Sequence, residues 1–279
     1  MNVFTGWSKR RIGAVAAVAA LFVAVTGCGG DDGGTSSGAQ VDGINLVNEG
    51  KLTVCTHLPY KPFQFQQGGE VVGFDVDLLN LLAKDMGLDP QIEVVHIEWA
   101  QVTSGAAFAA GKCDMGMGAM TITEERAKAI AITDPYMDAT QVLLVKKGAP
   151  YKSLEDLAGK KVGVQKDTTG HDYATEQAKE IGFSVVPFDD LALLTNAVKS
   201  GRVDAGINDN GVLYDFVKDN PDTEVVAEFD TGEQYGFAAK KDANGEKLVE
   251  RFNKVLAQAK EDGTYNEIYK KWFGVEPKQ

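Results

Sequence analysis

The chain has 279 residues, of which 44% are hydrophobic and 24% are charged, and its formal net charge is −12. This length suffices for one large hydrophobic core or two smaller ones, and the composition excludes collagen, a coiled coil and wholesale disorder. The acidic balance argues against binding nucleic acid through a basic surface. The three cysteines are too few for a disulfide framework.

The N-terminus has the pattern of a secretory signal. Basic residues 9–11 precede an apolar run at 12–25 and the tetrapeptide VTGC, which ends at Cys28. Because that run is shorter than the roughly 20 residues that span a bilayer, it favours a cleaved signal peptide, residues 1–27, over a membrane anchor helix. The tetrapeptide is similar to the lipobox of bacterial lipoproteins, which implies a lipidated Cys28 and a stable membrane anchor.

The composition of the segment that follows Cys28 predicts no folded structure. Residues 29–43 (GGDDGGTSSGAQVDG) have no apolar periodicity, so residues 28–44 are predicted to be the lipidated cysteine and a flexible tether. Cys55 and Cys113 lie in or beside apolar, strand-like runs. We expect two buried thiols that behave as small hydrophobic side chains, and a disulfide between them is the alternative for an exported protein.

Short apolar runs then alternate with segments of helical periodicity, which predicts an α/β fold with mainly parallel sheets. The strands are predicted at residues 51–55, 91–95, 114–119, 161–165, 184–187 and 204–208. The helices are predicted at residues 74–86, 102–110, 171–181, 191–200, 210–219, 246–262 and 264–272, with a helical turn at 153–159. Trp272 and Phe273 are predicted to be packing anchors of the last helix.

One pattern occurs twice in the chain. Residues 109–114 (AAGKCD) are matched by residues 199–204 (KSGRVD), each with a helix end, a Gly cap and an Asp that opens a strand. This predicts two lobes of similar design. Because ligands of open α/β sheets bind beyond the carboxyl ends of the strands, residues 118–126 and 208–210 are the first candidates for a binding site.

The candidate site residues follow these strands. Thr123 is a natural N-cap, yet Arg126 stands where a capping box has Glu or Gln, and a cation there opposes the helix dipole. Arg126 is therefore a candidate for bidentate carboxylate binding, helped by the Thr121 hydroxyl and backbone N–H groups, and pairing with Glu124 or Glu125 is the alternative.

Two further stretches extend this candidate site. Residues 167–170 (DTTG) predict a second anion cradle at a helix start or a simple N-cap. Asp209 is a candidate partner for an ammonium group or, alternatively, an N-cap. Together, the stretches outline a site for an α-amino acid.

Several motifs resemble those of solute-binding proteins of ABC amino-acid uptake systems, bacterial extracellular solute-binding protein family 3, which includes glutamine- and histidine-binding proteins. The matching stretches are PYKPF (59–63), GFDVDL (73–78), TITEER (121–126), TDPY (133–136), GVQ (163–165), TTG (168–170), QYG (234–236) and GTYNEIYKKWFG (263–274). The resemblance covers residues 45–279. It implies a two-lobe periplasmic-binding-protein fold of type II, with two hinge strands and a ligand cleft between the lobes. Residues 45–137 plus 235–279 would form lobe 1, and residues 138–234 lobe 2.

The resemblance also implies roles for individual residues. Arg126, with Thr121 and the Thr169 backbone, would hold the ligand α-carboxylate, and Thr168 would also belong to the ligand site. Asp209 and the Ala119 carbonyl would hold the α-ammonium. The aromatic rings of Tyr60 and Trp99 would pack on either side of the ligand. The polar side chains that contact the side chain of the ligand would be those of His57, Gln165 and Asn208.

By this resemblance the protein would be an extracytoplasmic, lipid-anchored monomer that has no cofactor or metal. It would capture a free L-amino acid and deliver it to an ABC permease in the membrane. His57 stands where relatives often have Asp, and Gln165 replaces a frequent Lys. These departures predict a polar or acidic ligand of the glutamine, glutamate, asparagine or aspartate class.

Two alternatives stay open. An exported enzyme similar to cyclohexadienyl dehydratase would share the fold, with His57 as the attractive acid. A ligand-sensing lipoprotein would share the site and differ in its membrane partner. Since His57, His96 and His171 lack a nucleophile motif and no Cys/His spacing predicts zinc, we expect a binding protein and no enzyme. His96 is predicted at a strand end, and His171 near a helix start.

Overall fold

The computed structural model describes residues 40–277 of the chain. The predicted signal peptide, Cys28 and the tether up to residue 39 lie outside the described residues. Between residues 40 and 277, no helix combines the length and the apolar character needed to cross a membrane.

Strands and helices alternate over much of the described chain, as predicted, and runs of consecutive strands interrupt the alternation. The strands are β1 (Gln40–Val41), β2 (Ile44–Asn45), β3 (Thr53–Thr56), β4 (Phe65–Gln67), β5 (Glu70–Val72), β6 (Glu93–His96), β7 (Met115–Gly116), β8 (Ile130–Ile132), β9 (Met137–Lys146), β10 (Lys161–Gln165), β11 (Ser184–Phe188), β12 (Ala205–Asp209), β13 (Thr223–Tyr235) and β14 (Ala238–Lys240). The helices are α1 (Phe74–Asp85), α2 (Trp99–Thr103), α3 (Ala106–Ala109), α4 (Glu124–Ala129), α5 (Thr169–Ile181), α6 (Leu191–Ser200), α7 (Asn210–Asp219), α8 (Ala243–Asp262) and α9 (Thr264–Phe273), with a 3₁₀ turn at Glu155–Leu157.

Two five-stranded sheets organise residues 40–277, in the strand orders β6-β3-β7-β14-β8 and β11-β10-β12-β9-β13. In each sheet, three strands on one side run parallel, because helices form the crossovers between them. The other two strands are antiparallel additions. The predicted α/β fold is confirmed, and its sheets are mixed rather than mainly parallel.

The repeated sequence pattern has the same structural task in both sheets. Gly111 and Gly201 have φ values of 64° and 74°, which end the preceding helical turns. Asp114 Oδ2 then accepts the N–H of Thr53 at 2.9 Å, and Asp204 Oδ2 accepts the N–H of Lys161 at 2.8 Å. Each aspartate therefore satisfies the first N–H of the central parallel strand in its sheet.

Strands β9 and β13 are the long antiparallel pair that links the two sheets. After β8 in the first sheet, β9 carries the chain into the second sheet, and β13 returns it to β14. Met137 pairs with Tyr235, and Asp138 pairs with Gln234. The lobe boundaries predicted at 137/138 and 234/235 fall at this end of the pair, and the exact boundaries stay a prediction.

An aromatic cluster fixes the C-terminal helix to the first sheet's helices. Phe74 is fully buried and contacts the rings of Phe63, Tyr136 and Phe273 at centroid distances of 6.3, 6.0 and 5.2 Å. Trp272 Nε1 donates to Asp77 Oδ2 at 2.7 Å. The prediction that Trp272 and Phe273 are packing anchors is confirmed, since both pack on the main hydrophobic core.

Three local predictions differ from the structure, the first at residues 102–119. The helix predicted at 102–110 is two short helices, α2 and α3, because Gly105 between them has a φ of 77°. A side chain at Gly105 would also approach the Ala129 carbonyl oxygen to 3.0 Å. The strand predicted at 114–119 stops at Gly116, since Gly118 and Ala119 have φ values of 153° and 47°.

The second difference concerns the tether, since its predicted last five residues, 40–44, are folded. β1 and β2 form a hairpin whose central residues, Asp42 and Gly43, both have the positive φ that a type I′ turn requires. Ile44 is buried, and Asp42 forms an ion pair with Arg251 of α8 at 2.7 Å. The prediction of a flexible segment up to residue 44 is therefore wrong from residue 40 onward, and the Asp-Gly pair was the available signal.

The third difference is a disulfide bond between Cys55 and Cys113. The expectation of two separate thiols is wrong, because β3 and β7 are neighbours in the first sheet and bring the two side chains together. Val54 pairs with Met115 in that ladder. Both cysteines are buried, so the bond is part of the core.

We predict that replacing Cys55 and Cys113 together by Ala lowers the free energy of unfolding by about 2–4 kcal/mol, since the bond closes a chain segment with a sequence separation of 58 residues. Denaturant unfolding of the wild-type and double-variant proteins measures this difference. Reductant should destabilise the wild type and leave the double variant unchanged. Coincident transitions of the two proteins without reductant would contradict the prediction.

Candidate functional site

A small cavity lies where the carboxyl ends of β7 and β12 face each other. It measures about 20 Å³, the room of one water molecule, so the two halves of the site are closed on each other. Ten of the eleven predicted ligand-binding residues line it, together with Gly118, which begins the candidate segment 118–126, and Gln64, which had not been predicted. The predicted ones are His57, Tyr60, Trp99, Ala119, Thr121, Arg126, Gln165, Thr168, Thr169 and Asp209.

Arg126 is held at the cavity by the start of α4. Thr123 caps that helix by accepting the N–H of Arg126 at 3.1 Å, as predicted. The guanidinium Nη1 donates to the Thr121 carbonyl at 2.8 Å, and Nη2 donates to the Asp167 carbonyl at 3.2 Å. Its Cζ lies 5.8 Å from the centre of the Trp99 ring. Arg126 thus spans the cleft with neutral partners.

The charge of Arg126 has no ion-pair partner within 4.0 Å among the described residues. The alternative that it pairs with Glu124 or Glu125 is therefore wrong. Burial lowers the pKa of Arg126, while the charges of Asp209 and Glu233 act in the opposite direction. The guanidinium remains positive and has N–H groups beyond those used on the two carbonyls.

Asp209 carries the opposite charge on the other side of the cavity. Its side chain is 5% exposed and accepts from Tyr235 Oη at 2.6 Å, Gln141 Nε2 at 2.7 Å and Tyr60 Oη at 3.1 Å. Burial and the charge of Glu233 raise the pKa of Asp209 to about 6. Asp209 stands at the N-cap position of α7, but its side chain makes no capping hydrogen bond, and its carboxylate accepts from Tyr60, Gln141 and Tyr235 instead.

Asn208 is the one predicted site residue outside the cavity lining. It is buried directly behind Tyr60, whose hydroxyl donates to Asn208 Oδ1 at 2.7 Å. Its Nδ2 donates to Gln165 Oε1 at 3.4 Å. Asn208 therefore links two predicted ligand-binding residues by hydrogen bonds, the aromatic Tyr60 and the polar Gln165.

Asp75 is a buried support that sequence patterns did not identify, because it stands in the first turn of a helix. It is fully buried and accepts from the N–H groups of Gly118 and Ala119 at 3.1 and 2.9 Å and from Tyr136 Oη at 2.8 Å. These bonds hold the Gly118–Ala119 backbone at the cavity. A side chain on Gly118 would lie 2.6 Å from Trp99, so glycine is needed for the indole to approach.

The turn before α5 completes the anion-binding side. Thr168 caps α5 by accepting the N–H of His171 at 3.2 Å, which places the first N–H groups of the helix at the cavity. Trp99 Nε1 donates to the Asp167 carbonyl at 3.1 Å and crosses the cleft. The Thr121 and Thr169 hydroxyls lie 3.2 Å apart, one from each side of the cleft.

His57 faces the remaining side of the cavity as a neutral ring. Burial, and then the proximity of His96, lower its pKa, while Glu98 and Asp190 oppose that effect. The two imidazole centroids are 5.3 Å apart. His96 ends β6 and His171 lies in the first turn of α5, as predicted. Among residues 40–277 no group of His, Cys, Asp and Glu side chains could hold a metal ion.

Comparison with known proteins gives consistent results. The family model described as bacterial extracellular solute-binding proteins, family 3, matches residues 52–275. The chain is 34% identical over 266 residues to the ABC transporter glutamine-binding protein GlnH of Bacillus subtilis (strain 168), covering 93% of this chain and 94% of that protein.

Solved structures with the same fold include an ancestral arginine-binding protein bound to arginine, which is 42% identical with a TM-score of 0.74 and covers 80% of this chain and 98% of its own. An ancestral arginine-binding protein bound to glutamine is also 42% identical, with a TM-score of 0.74, and covers 81% of this chain and 99% of its own. The ancestral amino acid-binding protein AncCDT-1, a precursor of cyclohexadienyl dehydratase, is 38% identical with a TM-score of 0.71, over 80% of this chain and 95% of that one.

We predict that the ligand-free protein becomes more stable as the pH is lowered from about 7.5 to 5. Burial raises the pKa values of Asp75, Asp114 and Asp209 to about 6, so the folded state binds these protons more tightly than the unfolded chain does. His57 has a lowered pKa, so its protonation favours the unfolded chain as the pH falls. This opposes the effect of the three carboxyl groups, but it comes from a single residue. Thermal unfolding across this range measures the effect.

The variant Asp75→Asn is the control for this prediction. It removes one of the three raised pKa values while keeping the shape of the side chain, so its stability should depend less on pH than that of the wild type. A wild-type unfolding midpoint that falls steadily from pH 7.5 to 5 would contradict the assignment.

Proposed function

The chain belongs to the bacterial extracellular solute-binding proteins, family 3, and on that premise we propose that it captures a free L-amino acid by lobe closure and delivers it to an ABC importer. Two opposite charges carry this proposal. Arg126 on one side of the cavity is partly buried, Asp209 on the other is buried, and the two are not paired with each other.

A zwitterion satisfies both charges at once. Charged groups in protein interiors are costly unless they are paired, and an α-carboxylate and an α-ammonium supply one partner for each. The unused N–H groups of Arg126 suit the carboxylate, and Asp209 suits the ammonium. The cavity has no room for an amino acid when closed, so binding requires the halves to separate and close again around the ligand.

We assign the side chain of the ligand to the polar or acidic class of glutamine, glutamate, asparagine and aspartate. We assign His57, Gln64 and Gln165, which line the cavity, to the side chain of the ligand, and Asp209, the only carboxylate among the described lining residues, to its ammonium group. A cationic side chain would therefore find no acidic partner in that lining other than Asp209, which the ammonium group occupies. The resemblance to GlnH supports this class, and the arginine-bound ancestral structure makes arginine the most direct competitor.

We expect glutamine or another member of this class to raise the unfolding midpoint most in a thermal-shift screen of the twenty common L-amino acids. Stabilisation by only cationic or only aliphatic amino acids would overturn the assigned class.

Arg126→Ala should weaken binding of the best ligand at least about a hundredfold on calorimetry, because the α-carboxylate loses its charged partner. Arg202→Ala, which removes an exposed arginine remote from the cavity, is the matched control. An Arg126→Ala protein with undiminished affinity would refute the clamp.

The anchoring of the protein is part of the same proposal. The lipobox-like tetrapeptide supports a cleaved signal peptide and a lipid on Cys28, with the folded part held as a monomer at the outer face of the membrane. Cells fed labelled palmitate should label the wild type and not Cys28→Ala. Label that persists in Cys28→Ala, or is missing from the wild type, would contradict lipidation at this residue.

We propose no catalytic role for the site. His57 is its candidate acid, and burial lowers the pKa of that ring, which disfavours the protonated form that a dehydratase would need at neutral pH. Incubation with prephenate or arogenate should yield no aromatic product, and formation of one would favour the enzyme.

A further inference from the structure

Glu233 joins three separate elements beside the cavity and has no role in the site as described so far. It lies on β13, opposite Ala139 in the ladder with β9. Its Oε2 accepts from Thr121 Oγ1 at 2.9 Å and from Thr169 Oγ1 at 3.0 Å. Gln141 Nε2 lies 3.2 and 3.1 Å from its two oxygens. One carboxylate therefore contacts the segment after β7, the start of α5 and strand β9.

These contacts cross the cleft. Thr121 follows the first sheet, Thr169 begins a helix that packs on the second sheet, and Glu233 lies on the strand pair that joins the two. Because the threonines belong to opposite sides, separation of the two halves must break at least one hydrogen bond to Glu233. Among residues 40–277, this full set of contacts to Glu233 therefore forms only when the two halves are closed.

The direction of the hydroxyl protons determines what Glu233 can do. A threonine hydroxyl has one proton to donate, and an ionised carboxylate can only accept. Thr121 and Thr169 donate their protons to Glu233, so neither hydroxyl can donate to the carboxylate of a ligand in this arrangement. In this closed arrangement Arg126 and backbone N–H groups are the donors that remain for the ligand, and the expected role of the Thr121 hydroxyl stays a prediction.

Glu233 is also outside the set of residues that line the cavity. The residues that line the cavity, and not Glu233, are the ones assigned to the ligand, so we expect Glu233 to keep its place when the halves close around an amino acid. A contact that is formed in the closed form and does not touch the ligand raises affinity by increasing the closed population.

We propose that Glu233 is a positioning residue that ties the Thr121 and Thr169 hydroxyls together across the cleft and thereby stabilises the closed, ligand-holding form. The proposal rests on the proposed function and adds a residue that acts on closure without touching the ligand. Since the tie has no contact with the side chain of the ligand, its effect should be the same for every amino acid that the protein binds.

The test is a double-mutant cycle of Glu233→Ala and Thr169→Val, with L-glutamine and L-arginine as probes. We expect Glu233→Ala to raise the Kd of each amino acid that binds by about five- to thirtyfold, through faster dissociation in stopped-flow measurements. The double variant should be scarcely weaker than the weaker single variant, since both changes remove the same hydrogen bond. Asp230→Asn, which removes an exposed charge from the same strand, is the control and should bind like the wild type.

Three results would overturn the tie. Unchanged affinity in Glu233→Ala would mean that the contact does not affect closure. Tighter binding would mean that Glu233 competes with the carboxylate of the ligand. Additive losses in the double variant would separate Glu233 from Thr169. If no amino acid binds the wild type, the proposed function fails, and small-angle scattering of the ligand-free proteins tests the role of Glu233 instead. A larger radius of gyration for Glu233→Ala than for Asp230→Asn supports the proposed stabilisation of the closed form. Equal radii overturn it.

Discussion

The structure depends on keeping two opposite charges close but unpaired. Arg126 is held by the Thr121 and Asp167 carbonyls, and Asp209 by two tyrosine hydroxyls and an amide. Neutral dipoles make burial of each charge tolerable, yet they leave each charge without an ionic partner. A ligand with both charges provides what the protein lacks, and ligands with only one charge do not.

The fold supplies this separation by building the same unit twice. In each sheet the first N–H of the central parallel strand is bound by an aspartate, and that strand ends at the cleft. The end of a neighbouring strand, or the segment after it, carries the site residues. One copy leads to Ala119, Thr121 and Arg126, and the other leads to Asp209. The strand pair β9 and β13 joins the copies and also carries Gln141, Tyr235 and Glu233, which contact Asp209 or the threonines of the cleft. The link between the halves is therefore part of the site.

Local sequence patterns were sufficient wherever the cause was local. Helix periodicity, glycine caps and apolar runs predicted most of the elements of the two sheets, and the strand at 161–165 and the helix at 210–219 have the predicted bounds. Arg126 was identifiable because it breaks a capping rule within its own turn. The Asp-Gly hairpin at residues 42–43 was equally local, and was missed because the surrounding composition is that of a tether.

The remaining features depend on contacts between distant parts of the chain. Cys55 and Cys113 bond because two strands are neighbours in a sheet, which their spacing does not reveal. Asp75 and Glu233 look like ordinary helix and strand carboxylates in sequence, and their partners lie 43 to 112 residues away. No periodicity encodes such pairs, so tertiary structure is needed to find them.

The most direct measurement of the central claim is the crystal structure of the protein with the amino acid that binds it best. The account predicts the α-carboxylate within hydrogen-bond distance of the Arg126 guanidinium and the α-ammonium within hydrogen-bond distance of Asp209. An amino acid bound in the reverse orientation, or bound with Arg126 still donating only to the Thr121 and Asp167 carbonyls, would contradict it.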